Sequence, residues 1–213
     1  MRERYPGYDV LAKRHTPSWN EQTRRVIDAR LALPREPRFL SEEEFRTLVA
    51  IAARVVPQPT DRPPIPVAAL VDHKLENNHG DGYRQAALPP LREAWRRGLG
   101  AIDQEARNAH KQPFHRLDAP TQDAVLKAAQ EGRLAGPAWQ GMPSALFFSH
   151  RLLRDIVLVY YSHPTSWNEI GFGGPASPRG YVRMGFNRHD PWEAAEARDG
   201  DDAAARRENK RVR

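Results

Sequence analysis

Apolar residues recur at intervals of three and four through most of the chain, the period of one helix face. Phe45, Leu48, Val49, Ala52, Val55 and Val56 follow that spacing. Ser41-Glu42-Glu43-Glu44 before them is a capping box that sets acids at the positive helix end. The pattern predicts a helix from Ser41 that Pro57 and Pro59 end, then a rigid linker from Asp61 to Pro64. Pro66 suits the first turn of a second helix, with Val67, Leu70, Val71 and Leu75 facing the core and Asn77-Asn78-His79-Gly80 closing it. A third, from Pro89-Pro90 to near Ala109, has the stripe Leu91, Ala94, Trp95, Leu99, Ile102 and Ala106. Gly98 and Gly100 cost helix propensity there but admit a close neighbour. A fourth follows Asp118 as its cap, burying Val125, Leu126 and Ala129 and ending at Gly132. The fifth, Ser144 to His163, is the most apolar and is placed at the centre. Without a convincing alternating run, the expected fold class is all-α, a single helical bundle of about five to six helices. An extended N-terminal arm and a Gly/Pro-rich C-terminal loop flank it.

Three segments follow from this pattern: an N-terminal docking arm over 1–38, the helical domain over 39–182, and a polar tail over 183–213. In the arm, Ser18 is placed to cap a helix from Trp19 to about Leu33, with Glu21 in the capping-box position. Val26, Ile27, Arg30 and Leu31 share one side of that helix. The aromatics Tyr5, Tyr8 and Trp19 suit a segment that docks on a surface. Residues 193–213 are charged, with only small or isolated apolar groups, and read as disordered.

Composition narrows the function classes. The chain of 213 residues has 39% hydrophobic residues, enough for one ordinary core. It has no cysteine, which excludes disulfides, thiolate zinc sites, iron–sulfur ligation and covalent haem attachment. The net charge of +6 invites a nucleic-acid reading, but nine basic and five acidic residues lie in 1–38, leaving the helical middle near neutral. A nucleic-acid-binding domain concentrates basic charge on its folded face, so no nucleic-acid partner is expected. No apolar run approaches the roughly 18 to 20 residues that cross a bilayer, so no membrane insertion is expected. Arg24-Arg25 is followed by a run broken at Asp28 and Arg30, unlike a secretory signal. The expected compartment is therefore the cytoplasm, or the periplasm if the chain is exported with a partner.

The eight histidines form no ligand spacing. His150 and His163 are thirteen positions apart, roughly 220° around a helix axis. His110 and His115 flank Pro113, and His73 and His79 straddle a helix end. His150 and Arg154 share a face beside Asp155 and read as an ion-paired edge. Gly171-Phe172-Gly173-Gly174 lacks the strand-before, helix-after setting of a phosphate cradle. Ser149, Ser162 and Ser166 sit in no nucleophile elbow. No catalytic, cofactor-binding or metal-binding residue is assigned to this chain.

The densest set of contact groups lies where the fifth helix breaks, at Tyr160-Tyr161-Ser162-His163-Pro164-Thr165-Ser166-Trp167-Asn168-Glu169-Ile170-Gly171-Phe172-Gly173-Gly174-Pro175. Pro164 lacks an N–H and disfavours helical geometry at His163, so the helix is expected to stop there and a glycine-bent loop to follow. Trp167, Phe172 and Tyr181 stand on that loop as contact aromatics. The expected partner interface comprises Tyr5, Tyr8, Trp19, His163, Trp167, Asn168, Glu169, Phe172 and Tyr181.

The stretch from Tyr160 to Tyr181 resembles the C-terminal signature of the gluconate 2-dehydrogenase subunit 3 family. Phe39-Leu40-Ser41-Glu42-Glu43 through Val55-Val56-Pro57 is similar to the family's domain in order and length. Tyr5-Pro6-Gly7-Tyr8-Asp9-Val10-Leu11 and Thr16-Pro17-Ser18-Trp19-Asn20 resemble a subgroup of it. The resemblance implies a non-catalytic, all-helical small subunit of a bacterial dehydrogenase complex acting on sugars or polyols. Its partner would be a large FAD-containing flavoprotein of the glucose–methanol–choline (GMC) type, with a c-type cytochrome as a further subunit. FAD would belong to the partner, whose maturation, stability and export the small subunit supports. Many relatives carry a twin-arginine signal, and none is visible here, which separates the stabilising role from the export role. A second reading stays open, a free-standing helical metal-binding or oxidoreductase protein using scattered histidines.

Overall fold

The computed structural model describes residues 3–33, 35–80, 82, 85–180, 182, 185–186, 189–198 and 200–212. Its α-helices in chain order are α1 (Glu21–Leu31), α2 (Glu42–Val55), α3 (Val67–Glu76), α4 (Leu91–His110) and α5 (Ala119–Gln130). There follow α6 (Ser144–Phe147), α7 (Arg154–Ser162), α8 (Pro164–Ile170) and α9 (Asp202–Asn209). Among the described residues there is no strand, only one isolated parallel bridge between Trp19 and Ser177, and the fold is all-α as expected. No helix among them is long and apolar enough to cross a membrane. The chain divides into two compact units, Pro34–Tyr160 and Met1–Leu33 with Tyr161–Arg213.

In the unit of residues 34–160, the local signals act as the sequence suggests. Ser41 caps α2 by accepting from Glu44 N at 3.2 Å, while the Glu44 carboxylate accepts from Ser41 N at 2.8 Å. Asp118 caps α5 by accepting from Thr121 N. The core gathers Leu48, Ile51, Leu75, Trp95, Leu99, Ile102, Phe114, Trp139 and Phe147, all fully buried. Phe147 meets the rings of Trp95 and Trp139 edge-on at centroid distances of 5.7 and 6.0 Å. Gly98 makes this possible, because a Cβ there would stand 2.2 Å from the Phe147 ring. Gly100, expected to serve the same purpose, faces open space.

Two buried carboxylates tie the unit together. Asp72 on α3 accepts from the backbone N–H groups of Arg38, Phe39 and Leu40, which orients the entry into α2. Asp155 on α7 accepts from Lys74 Nζ at 2.7 Å and Trp95 Nε1 at 2.9 Å, joining α3, α4 and α7. Asp155 is thus ion-paired, but to Lys74 inside the core and not at the edge expected from the sequence.

The fifth helix expected from Ser144 to His163 is interrupted by a π-helical stretch, Phe148–Leu153. The burial pattern explains it. Phe147, Arg151, Asp155 and Val159 are buried at steps of four, as are Phe148, Leu152, Ile156 and Tyr160. On an α-helix each step of four drifts by about 40° around the axis. A wider π turn winds the face back toward the core.

In the other unit, Tyr8, Val10, Trp19, Ile27, Trp167, Ala194 and Val212 form one buried cluster, with Tyr5 and Leu11 packed against it. Residues expected as a docking arm thus contribute to the core of their own chain. α1 starts at Glu21 with Asn20 as its cap, not Ser18, whose hydroxyl accepts from Arg179 instead. The tail expected to be disordered contains α9. Although polar, it buries Ala205 and Val212, and Asn209 bonds both backbone groups of Ala195 and the Pro6 carbonyl. Small apolar groups and one well-satisfied amide hold it, which bulk composition does not register.

Candidate partner interface

Pro164 ends one helix and starts the next. Its missing N–H is no loss at a first helical position. His163 is extended, and its Nδ1 accepts from Thr165 N at 3.3 Å as the cap of α8. The stretch expected as a loop is therefore helical through Ile170. Gly171 closes α8 in the left-handed conformation, φ 65°, and donates its N–H to the Trp167 carbonyl.

The N-terminal segment covers the inner side of this turn. Val10 N donates to Asn168 Oδ1 at 2.9 Å, and the Tyr8 hydroxyl donates to the Phe172 carbonyl at 3.3 Å. Lys13 Nζ donates to the carbonyls of Gly173 and Trp192. Asn20 N donates to the Ser177 carbonyl at 2.7 Å. A Cβ on Gly171 would lie 2.5 Å from the Tyr5 ring, and one on Gly174 would lie 3.1 Å from Val10 and from Trp167. These glycines are needed for close approach by the chain's own aromatic and aliphatic groups.

Burial sets the electrostatics. Lys13 is fully buried, and desolvation, helped by the nearby Arg179 charge, brings its ammonium pKa down to about 8. Burial, and then the Asp9 carboxylate, raise the Tyr8 hydroxyl pKa above its ordinary value. The Arg14 hydrogen bond holds the Asp28 carboxyl below the usual range at the outer edge of α1. None of these groups is paired as nucleophile and base. Among the described residues no three His, Asp or Glu side chains are placed to hold a metal ion.

The expected interface residues separate by exposure. Tyr8, Trp19, His163 and Trp167 are buried within this unit, so they act as supports and not as free contact groups. Tyr5, Asn168 and Glu169 are half-buried. Tyr181 lies outside the described residues. Phe172 is 41% exposed, and its ring stands on the edge of Trp167 at 5.5 Å with the planes at 89°. Ile170, at 45% exposure, is a second exposed apolar residue of this stretch that the sequence reading does not single out. Its position at the last turn of a short helix before glycine is the signal that could have found it. Lys13 and Asn209 were also missed, and no local motif marks them.

The family model described as Gluconate 2-dehydrogenase subunit 3 matches residues 42–174, more than half of the chain. The chain belongs to the gluconate 2-dehydrogenase subunit 3 family. The match begins at the first turn of α2 and ends at Gly174, so it takes in α8 and the glycine turn. The N-terminal segment that fills the glycine positions lies outside it. No curated protein and no solved structure matches the chain.

Proposed function

We propose that this chain is the small, non-catalytic subunit of a dehydrogenase complex. It binds and stabilises a large FAD-dependent GMC-type flavoprotein that oxidises a sugar, sugar acid or glycoside. Family membership carries the reading. The part-exposed Phe172, its ring set against the buried Trp167, supports it as an apolar contact group.

FAD is assigned to the partner. The glycine turn of this chain is filled by Tyr5, Val10 and Trp167, which leaves no cradle for a pyrophosphate. A c-type cytochrome is proposed as a further subunit, and the compartment is that to which the complex is delivered. Affinity purification of the tagged chain, co-expressed with the flavoprotein subunit, tests the reading. A stable complex of defined stoichiometry is expected, and a flavoprotein that never co-purifies would overturn it. Metal or turnover found in the isolated chain would favour the histidine-based reading instead.

A further inference from the structure

Within the unit of residues 34–160, α2 has two apolar faces. Leu48 and Ile51 turn one face into the core. Phe45, Val49 and Val56, part of the same periodic stripe in sequence, line an open groove of about 520 Å³ with Ile65 and Val67 across from them. Val49 is 47% exposed, an unusual position for a valine in the middle of an ordered amphipathic helix. The groove is pre-formed. Gln58 holds its far wall by donating to the Ile65 carbonyl at 2.9 Å and accepting from Ile65 N at 2.7 Å. That commits the amide of Gln58.

Among the described residues of the lining Arg35 is the one charged side chain, and it makes no ion pair or hydrogen bond with a described residue. An apolar trough ending in a guanidinium complements an apolar segment that bears a carboxylate. A second copy of this chain is the poorer match, since it brings another net charge of +6 to a groove that offers no acid. The volume suits a few inserted side chains, as in helix-in-groove recognition, and not a flat globular face.

We infer that this groove receives an apolar, carboxylate-bearing segment of the partner subunit, with the carboxylate on Arg35. The inference rests on the accessory-subunit reading and adds a second anchor to it, on residues other than Phe172. The test is the dissociation constant of the complex with the co-expressed flavoprotein subunit, for wild type, Val49→Glu and Arg35→Glu. Thermal melts and sedimentation of each isolated chain accompany it. Each substitution is expected to weaken the complex by about tenfold or more with unchanged melts, because both side chains are surface groups. A wild-type complex that both variants leave untouched overturns the groove assignment and spares the accessory reading. A wild type that forms no complex sinks both. A self-association of the wild type that Val49→Glu abolishes would assign the groove to a second copy and overturn the inference.

Discussion

Asn168 and Val10 are joined across 158 positions of sequence. The side-chain Oδ1 of Asn168 accepts the backbone N–H of Val10 at 2.9 Å. Val10 is fully buried and Asn168 stands on α8, so this one bond satisfies an N-terminal donor with a group from the family signature.

Replacing Asn168 by Ala leaves that buried N–H without an acceptor, at a cost of about 1–3 kcal/mol. Urea denaturation followed by tryptophan fluorescence is expected to show that loss. Earlier cleavage of the first 33 residues by a dilute protease is expected with it. Unaltered stability and protection would mean that the N-terminal segment is held by its apolar contacts alone.

Gly98 and Gly100 sit on the same helix and are expected to respond in opposite directions. Ala at 98 drives a methyl into the Phe147 ring, and overpacking of this kind costs about 1–3 kcal/mol. Ala at 100 meets nothing and removes a helix-interior glycine, a gain of roughly 0.5–1 kcal/mol. Thermal melts of the two variants decide it. A lower midpoint for Gly98→Ala with a higher one for Gly100→Ala is the expected pair.

Lys13 makes stability depend on pH. Its folded pKa of about 8 lies below the ordinary 10.5, so between these values the unfolded chain binds more protons and stability rises with pH. Tyr8 acts oppositely from about pH 10, where the unfolded chain gives up its hydroxyl proton first. Unfolding free energy measured at pH 8, 9 and 10 is therefore expected to rise for wild type and to stay flatter for Lys13→Met. Equal slopes would show that Lys13 is charged in the fold throughout this range.

Elements carried by neighbouring residues were legible in the sequence. The capping box at Ser41, Pro66 before α3, the stripe of α4 and the cap at Asp118 each depend on contacts within a turn or two. Gly98 and Gly100 read alike in the sequence, and only the long-range packing of Phe147 distinguishes them. Long-range matters were not legible. Trp19, Tyr8 and Trp167 look like contact aromatics in sequence, and their burial follows from a cluster assembled from both chain ends. α8 is not legible because Pro164 signals a helix break and a first helical turn equally well. The periodicity of α2 likewise marks its apolar residues without saying which of them reach the core.

We propose that this chain sustains a flavoprotein, with Phe172 as a part-exposed anchor. The most direct measurement is the yield of soluble, FAD-loaded large subunit expressed with wild type, with Phe172→Glu, or with no small subunit. Phe172→Glu puts a charge on the part-exposed contact ring, and a thermal melt of the isolated variant separates lost stability from lost association. A high yield with wild type that falls toward the level of no small subunit with Phe172→Glu is the predicted result. A large subunit equally soluble, flavin-loaded and active without this chain would rule out that role.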